Sequence, residues 1–256
     1  YEPEAATNPT NAYGVSKLEG EHVVLAGLKA GGKGCVLRLP VLWVTVFPHA
    51  DKTMLIEIRN RYGPAESNSE SAINVLVDAV EKAAKGTPVK MDNWAIRNPT
   101  CVEDIARVLR DLAGTLRLFL YPDSPLDAAH VDLFLPLNSI PIKSQETSIP
   151  AILHFSAQQM YTKYDMAQIL ARVHQPPLEV GDNLVRVDEG PKPGETVRPR
   201  DCHLSNVRSK LRQQVYSDDH FSFAVRFEQR AIEALGIDTT TVDFEAWWRA
   251  YLSRAQ

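Results

Sequence analysis

Tyr13 and Lys17 stand four residues apart in the stretch Asn11-Ala-Tyr13-Gly-Val-Ser16-Lys17-Leu-Glu-Gly-Glu21. On a helix that spacing makes them neighbours on one face. Such a pair suits reduction of a carbonyl. A free phenol titrates near pH ~10, too high for easy proton exchange at neutral pH. An adjacent ammonium favours the phenolate and makes the phenol a better general acid. The lysine amine is also a hydrogen-bond donor for a cofactor ribose. Taken alone, Tyr-x-x-x-Lys also describes a solvated pair on a helix surface.

The elements that must hold this pair are legible from periodicity. A helix from about Ala12 to Ala30 follows Pro9, with Val24, Leu25 and Leu28 at helical spacing and Gly31-Gly32 as its stop. Cys35 to Leu39 reads as a strand closed by Pro40. Ile73, Leu76, Val77 and Val80 mark a second helix ending near Gly86, and Pro88 to Met91 a strand. Thr100 and Glu103 have capping-box spacing before Val102, Ile105, Leu109 and Leu112, which share one helical face. Ile152 to Phe155 reads as a strand, and Thr162 with Asp165 as a cap before Met166, Ile169, Leu170 and Val173. The prolines and glycines of Gly181 to Arg200 predict a loop. Phe244 to Leu252, with Trp247 and Trp248, is the last helical pattern. Alternating strands and helices predict an α/β fold.

Bulk properties exclude several classes. A chain of 256 residues that is 44% hydrophobic and 23% charged has the composition of a globular protein, one large domain or a domain and a half. A net charge of −4 without a basic cluster argues against nucleic acid. No apolar run approaches the roughly 18 residues of a membrane span. Cys35, Cys101 and Cys202 are scattered and odd in number, which suggests neither a disulfide framework nor a metal site, and fits a reducing, cytoplasmic compartment. The chain opens on Tyr1 rather than Met and carries no signal peptide, as a fragment would.

The Tyr13–Lys17 string, followed by Cys35-Val-Leu-Arg38-Leu-Pro40-Val-Leu42, resembles the catalytic helix and next strand of extended short-chain dehydrogenases/reductases. Met91-Asp-Asn-Trp94-Ala-Ile-Arg97-Asn-Pro99-Thr100 is similar to the lead into that family's substrate-domain helix. Leu153-His-Phe-Ser156 with Tyr161-Thr-Lys-Tyr164-Asp-Met166 is similar to the next strand and helix. Arg198-Pro199-Arg200-Asp-Cys-His-Leu204 resembles the late loop lining the substrate cleft. The blocks match the branch holding dTDP-4-dehydrorhamnose reductase and the regulatory β subunit of methionine adenosyltransferase, with Trp94, Thr-Lys-Tyr and Arg-Pro-Arg nearer the latter. Each block also has a plain structural reading: Trp94 as core, Thr162 as a cap, Arg198 as a rim ion pair.

The resemblance implies the C-terminal part of a Rossmann-type fold with its smaller substrate-binding domain. Tyr13 would be the proton donor, Lys17 would hold the nicotinamide ribose, and Leu42 would touch the nicotinamide of NADP. The family's glycine fingerprint is not found: Gly31-Gly32-Lys33-Gly34 precedes a strand rather than a helix, and reads as a turn. The chain is therefore expected neither to bind a dinucleotide well nor to turn over. On this reading residues 1–42 are the remnant of the dinucleotide-binding domain and 62–256 the substrate-binding type of domain. Residues 43–61, a stretch near 114–145, and 207–229 interrupt the family pattern, either as introns translated in frame or as long surface loops.

Two functions follow from the resemblance. One is a reductase-like, NADP-binding regulator that binds the methionine adenosyltransferase catalytic subunit. Its aromatic tail, Val242 to Tyr251, would either meet that partner or close its own domain. The other is NADPH-dependent reduction of dTDP-4-dehydrorhamnose, with Arg97, Arg198 and Arg200 lining the substrate site and Arg97 or Arg200 facing the diphosphate through bidentate geometry. An inert remnant is the third reading. No nucleic acid, membrane or metal enters any of them.

Overall fold

The computed structural model describes residue 3 and residues 5–43, 67–120, 149–201, 203–204 and 230–254. The supposed inserts lie outside these residues over 44–61, 121–145 and 207–229. In chain order the elements are α1 (Ala12–Lys29), β1 (Val36–Arg38), β2 (Leu42–Trp43), α2 (Val75–Ala84), β3 (Val89–Asp92), β4 (Thr100–Cys101) and α3 (Val102–Leu120). Then come β5 (Ile152–His154), α4 (Lys163–Val173), β6 (Leu184–Val187), α5 (Arg230–Glu233) and α6 (Phe244–Arg254). The strands pair β1 with β5, β2 with β4 and β3 with β6, each in parallel. Parallel pairing requires crossover connections, and the chain has the expected α/β character. It divides into two compact units.

The first unit comprises residues 1–39, 104–155 and 204–240. Helix α1 starts where the Asn11 side chain accepts the Gly14 N–H at 2.9 Å. It ends in a Schellman arrangement: Gly31, at φ 89°, donates its N–H to Leu28 O, and Gly32 donates to Gly27 O at 2.9 Å. No residue of α1 is buried. Strand β1 runs beside β5 with Arg38 opposite His154. Leu153 and Phe155 are fully buried, as are Val108 on α3 and Ile232 on α5, which packs against β5.

The second unit comprises residues 40–103, 156–203 and 241–256. Helix α2 packs on α4, and α4 on α6. Leu76, Val77 and Val80 of α2 and Met166, Leu170 and Val173 of α4 form the apolar faces that meet in this core. Helix α4 begins with a full capping box: Thr162 Oγ1 accepts the Asp165 N–H at 3.0 Å, and Asp165 Oδ2 accepts the Thr162 N–H at 2.9 Å. On α6, Phe244, Trp248 and Leu252 turn inward at four-residue spacing. The Trp43 and Phe244 rings meet edge to face at 5.1 Å and 88°, a geometry that places a positive ring edge on a negative face. The aromatic tail thus closes its own unit.

Several sequence expectations change. Thr100 is not a helix cap. It lies in β4, where its Oγ1 accepts the Ala157 N–H at 2.9 Å and donates to Asn98 O at 3.1 Å. On α3 the buried face runs through Ile105, Val108 and Leu112, while Leu109 is 48% exposed. The segment expected to be loop from Gly181 contains β6, held in register by β3 from Val89↔Leu184 to Asp92↔Val187. Trp43, taken as the first residue of an insert, belongs to β2 and is fully buried. Helix α3 also continues past Gly114 to Leu120.

Candidate functional site

Tyr13 and Lys17 come together on the first turns of α1, with the Lys17 Nζ 5.3 Å from the centroid of the Tyr13 ring. An ammonium over a ring face is attracted by the ring quadrupole, at exposed sites by about 0.5–1 kcal/mol. The Tyr13 side chain is 72% exposed in the described residues, so it is accessible to a ligand.

No residue of α1 is fully buried, so its half-buried face of Leu18, Leu25 and Leu28 is supplemented by polar contacts. Arg38 of β1 donates from Nε to Glu21 Oε2 at 2.9 Å and from Nη2 to Glu21 Oε1. Its Nη1 donates to Pro3 O at 3.2 Å and lies 3.3 Å from Nε2 of the fully buried His154. The Arg38 hydrogen bond holds the Glu21 carboxyl below the ordinary glutamate range, against the opposing effect of burial. This two-pronged contact ties the helix bearing Tyr13 and Lys17 to strand β1. The sequence reading missed it, although glutamate and arginine both stood in the resembling string.

The remaining predicted site residues belong to the second unit. Leu42 is half-buried in β2, opposite Thr100 of β4. Arg97 is buried. Its backbone exchanges both hydrogen bonds with Tyr161, N to O at 2.8 Å and O from N at 2.9 Å. Its Nη1 donates to Ile96 O at 2.9 Å and Pro199 O at 3.4 Å. The Ile96 N–H donates to Arg200 O at 2.7 Å. Two non-adjacent segments, at 97 and 198–200, therefore share one place. The Arg198 and Arg200 side chains are exposed.

One residue there was not singled out. Lys163, the first residue of α4, is half-buried, and its ammonium is pushed below the ordinary lysine range first by burial, then by the Arg198 and Arg97 guanidiniums, with Asp92 opposing. A lysine in the first turn of a helix faces the positive end of the helix dipole, and that misplacement was the available signal. Trp94 lies against the Gly190 backbone, where an added Cβ would come 3.0 Å from the ring. Its partner is thus the loop after β6. Among the described residues, no group of three or more His, Cys, Asp or Glu is placed to hold a metal, and no helix is long and apolar enough to cross a membrane.

A dinucleotide's pyrophosphate is held by N–H groups at a helix N-terminus. Gly31 to Gly34 instead follow a helix C-terminus, whose carbonyl end is negative, so they do not fit that group. The exposed phenol and ammonium of α1 have the hydrogen-bonding chemistry to meet a ribose hydroxyl.

The fold is that of Rossmann-type α/β proteins, as two solved structures show. MoeE5 in complex with UDP-glucose and NAD superposes with a TM-score of 0.54 at 14% identity, over 100% of this chain and 60% of that one. UDP-glucuronic acid 4-epimerase from Bacillus cereus gives a TM-score of 0.50 at 12% identity, over 99% and 56%. In sequence, the chain is similar to methionine adenosyltransferase 2 subunit beta. It is 27% identical to the Danio rerio protein over 226 residues, 88% of this chain and 53% of that protein. The Bos taurus protein is 30% identical over 208 residues, 81% and 46%. The chain spans about half the length of these curated relatives. No family model matches the chain.

Proposed function

We propose that this chain is part of a reductase-like, NADP-binding regulatory subunit that binds the catalytic subunit of methionine adenosyltransferase and tunes S-adenosylmethionine synthesis. The observation carrying this reading is the similarity to methionine adenosyltransferase 2 subunit beta, which extends over 88% of the chain in the Danio rerio comparison and crosses both compact units. In this role Tyr13 and Lys17 would hold the nicotinamide ribose, with Leu42 at the nicotinamide. A bound NADP would supply a hydride-carrying ring, but regulation does not require its transfer. Since Phe244 and Trp248 are buried in their own unit, the partner would meet other surfaces.

The test is co-purification of the catalytic subunit with the tagged chain from cells of the source organism. Recovery of the adenosyltransferase, with its activity changed on addition of the chain, supports the reading. Clean failure of both removes it.

A second reading, NADPH-dependent reduction of dTDP-4-dehydrorhamnose, is favoured by the 72% exposure of Tyr13, which is open to a substrate carbonyl. Tyr13 would protonate the C4 oxygen, and Arg97, Arg198 and Arg200 would face the diphosphate. Hydride transfer from NADPH to that sugar nucleotide, lost in Tyr13→Phe, would establish it. We also retain the reading of 44–61 and 207–229 as translated introns. A peptide from 207–229 detected by mass spectrometry in the source organism would exclude it for that segment.

A further inference from the structure

We propose that Thr87 is a phosphorylation site, modified by a proline-directed protein kinase that also reads a basic residue three positions on. The stretch is Thr87-Pro88-Val89-Lys90. Of the 17 prolines in the chain only Pro88 and Pro125 follow a serine or threonine, and Ser124-Pro125 leads to Asp127 instead of a cation. Kinases tell substrates apart by such charge patterns. The inference rests on neither functional reading given above.

The fold presents this stretch to solvent. Helix α2 ends at Ala84, and the chain turns at Gly86, at φ 89°. Gly86 donates its N–H to Ala83 O at 3.0 Å, and Thr87 donates its N–H to Lys82 O at 3.1 Å. Backbone groups alone therefore finish the helix end. Among the described residues the Thr87 hydroxyl has no hydrogen-bond partner. Thr87, Pro88 and Lys90 are exposed, and the ladder to β6 begins only at Val89. Proline holds the residue before it out of the helical region and leaves no N–H of its own to satisfy. An enzyme groove thus meets an extended segment with a free hydroxyl.

The surroundings also suit the product. Lys82, Lys85 and Lys90 are exposed, and among the described residues none forms an ion pair with a carboxylate. A phosphate carries about −1.5 to −2 charge, which the negative end of α2 opposes and the lysines answer. Modification lowers the charge of this patch from three positive to about one positive, a switch on the surface of the second unit. In the step, the Thr87 oxygen attacks the γ-phosphorus of ATP. The new O–P bond forms as the bond to the bridging oxygen breaks, ADP leaves, and the hydroxyl proton passes to the kinase's base.

The experiment incubates the folded full chain with a cyclin-dependent kinase and magnesium ATP, read by intact mass and peptide mapping. A single phosphate is expected, on Thr87. Lys90→Ala is expected to slow its incorporation about tenfold, the scale of one lost charge-assisted contact. Thr87→Ala should take up none and should melt with wild type, since its hydroxyl has no partner to lose. Absence of label on the folded wild type overturns the proposal. So does label on Thr87 only after the chain is denatured, label on Ser124 in place of Thr87, or an unchanged rate in Lys90→Ala.

Discussion

Replacing Arg38 with Met tests whether one ion pair seats the helix that carries Tyr13 and Lys17. The Arg38 and Glu21 side chains are only 19% and 13% exposed, so the pair lies between surface pairs and fully buried ones. Exposed pairs contribute roughly 0–1 kcal/mol and breaking buried ones costs roughly 3–5 kcal/mol. Methionine retains most of the volume and loses the contacts to Glu21, Pro3 and His154. The expected loss is about 2–3 kcal/mol, which lowers the melting temperature of a domain this size by about 4–12 °C.

The pH dependence has a definite sign. Glu21 is held below its ordinary range by Arg38, so its contribution is complete above the unfolded value of about 4.3 and is lost as pH falls through the lower folded value. The gap between wild type and Arg38→Met should be widest at about pH 6–7 and should narrow in acid as Glu21 becomes protonated, the Pro3 and His154 contacts accounting for what remains. Calorimetric melts across that range measure it. Equal melting temperatures at neutral pH, or a gap unchanged down to acid, would refute the reasoning. Glu21→Gln, which keeps the shape and removes the charge, should show the same trend at smaller amplitude.

Trp248→Ala empties a fully buried position between Phe244, Trp247 and Tyr251, and should cost about 3–5 kcal/mol by urea denaturation, with loss of near-ultraviolet dichroism. Thr162→Ala removes the cap of α4 and should cost about 1 kcal/mol, read as a lower urea midpoint at unchanged slope. Gly190→Ala drives a methyl to 3.0 Å from the Trp94 ring. It should lower stability by about 1–3 kcal/mol and shift tryptophan fluorescence, and no change in either would mean that loop yields freely.

Features legible in the sequence are those settled by near neighbours. Helix α1 begins at an asparagine cap and ends at Gly31-Gly32, and the Thr162–Asp165 capping box is closed within one turn. Tyr13 and Lys17 meet because a helix brings every fourth residue round. Strand β6 escaped detection because its hydrogen bonds go to β3, distant in sequence, while its surroundings are rich in turn formers. Thr100 misled because its hydroxyl serves Ala157 instead of the following helix. Leu109 and Val108 are equally apolar, and only the packed neighbours decide which faces inward.

From the sequence alone come the α/β class, the long helices with strands β1, β3 and β5, the Tyr13–Lys17 pair and the family resemblance, since each rests on local periodicity or on recognisable strings. Only the tertiary structure decided that Arg38 clasps Glu21 against buried His154, that Trp43 and α6 share one aromatic core, and that Arg97 and Arg198 bear on Lys163. Electrostatic repulsion and desolvation depend on distance in space. Chain separation carries no information about either, so those relations appear only once the chain is folded.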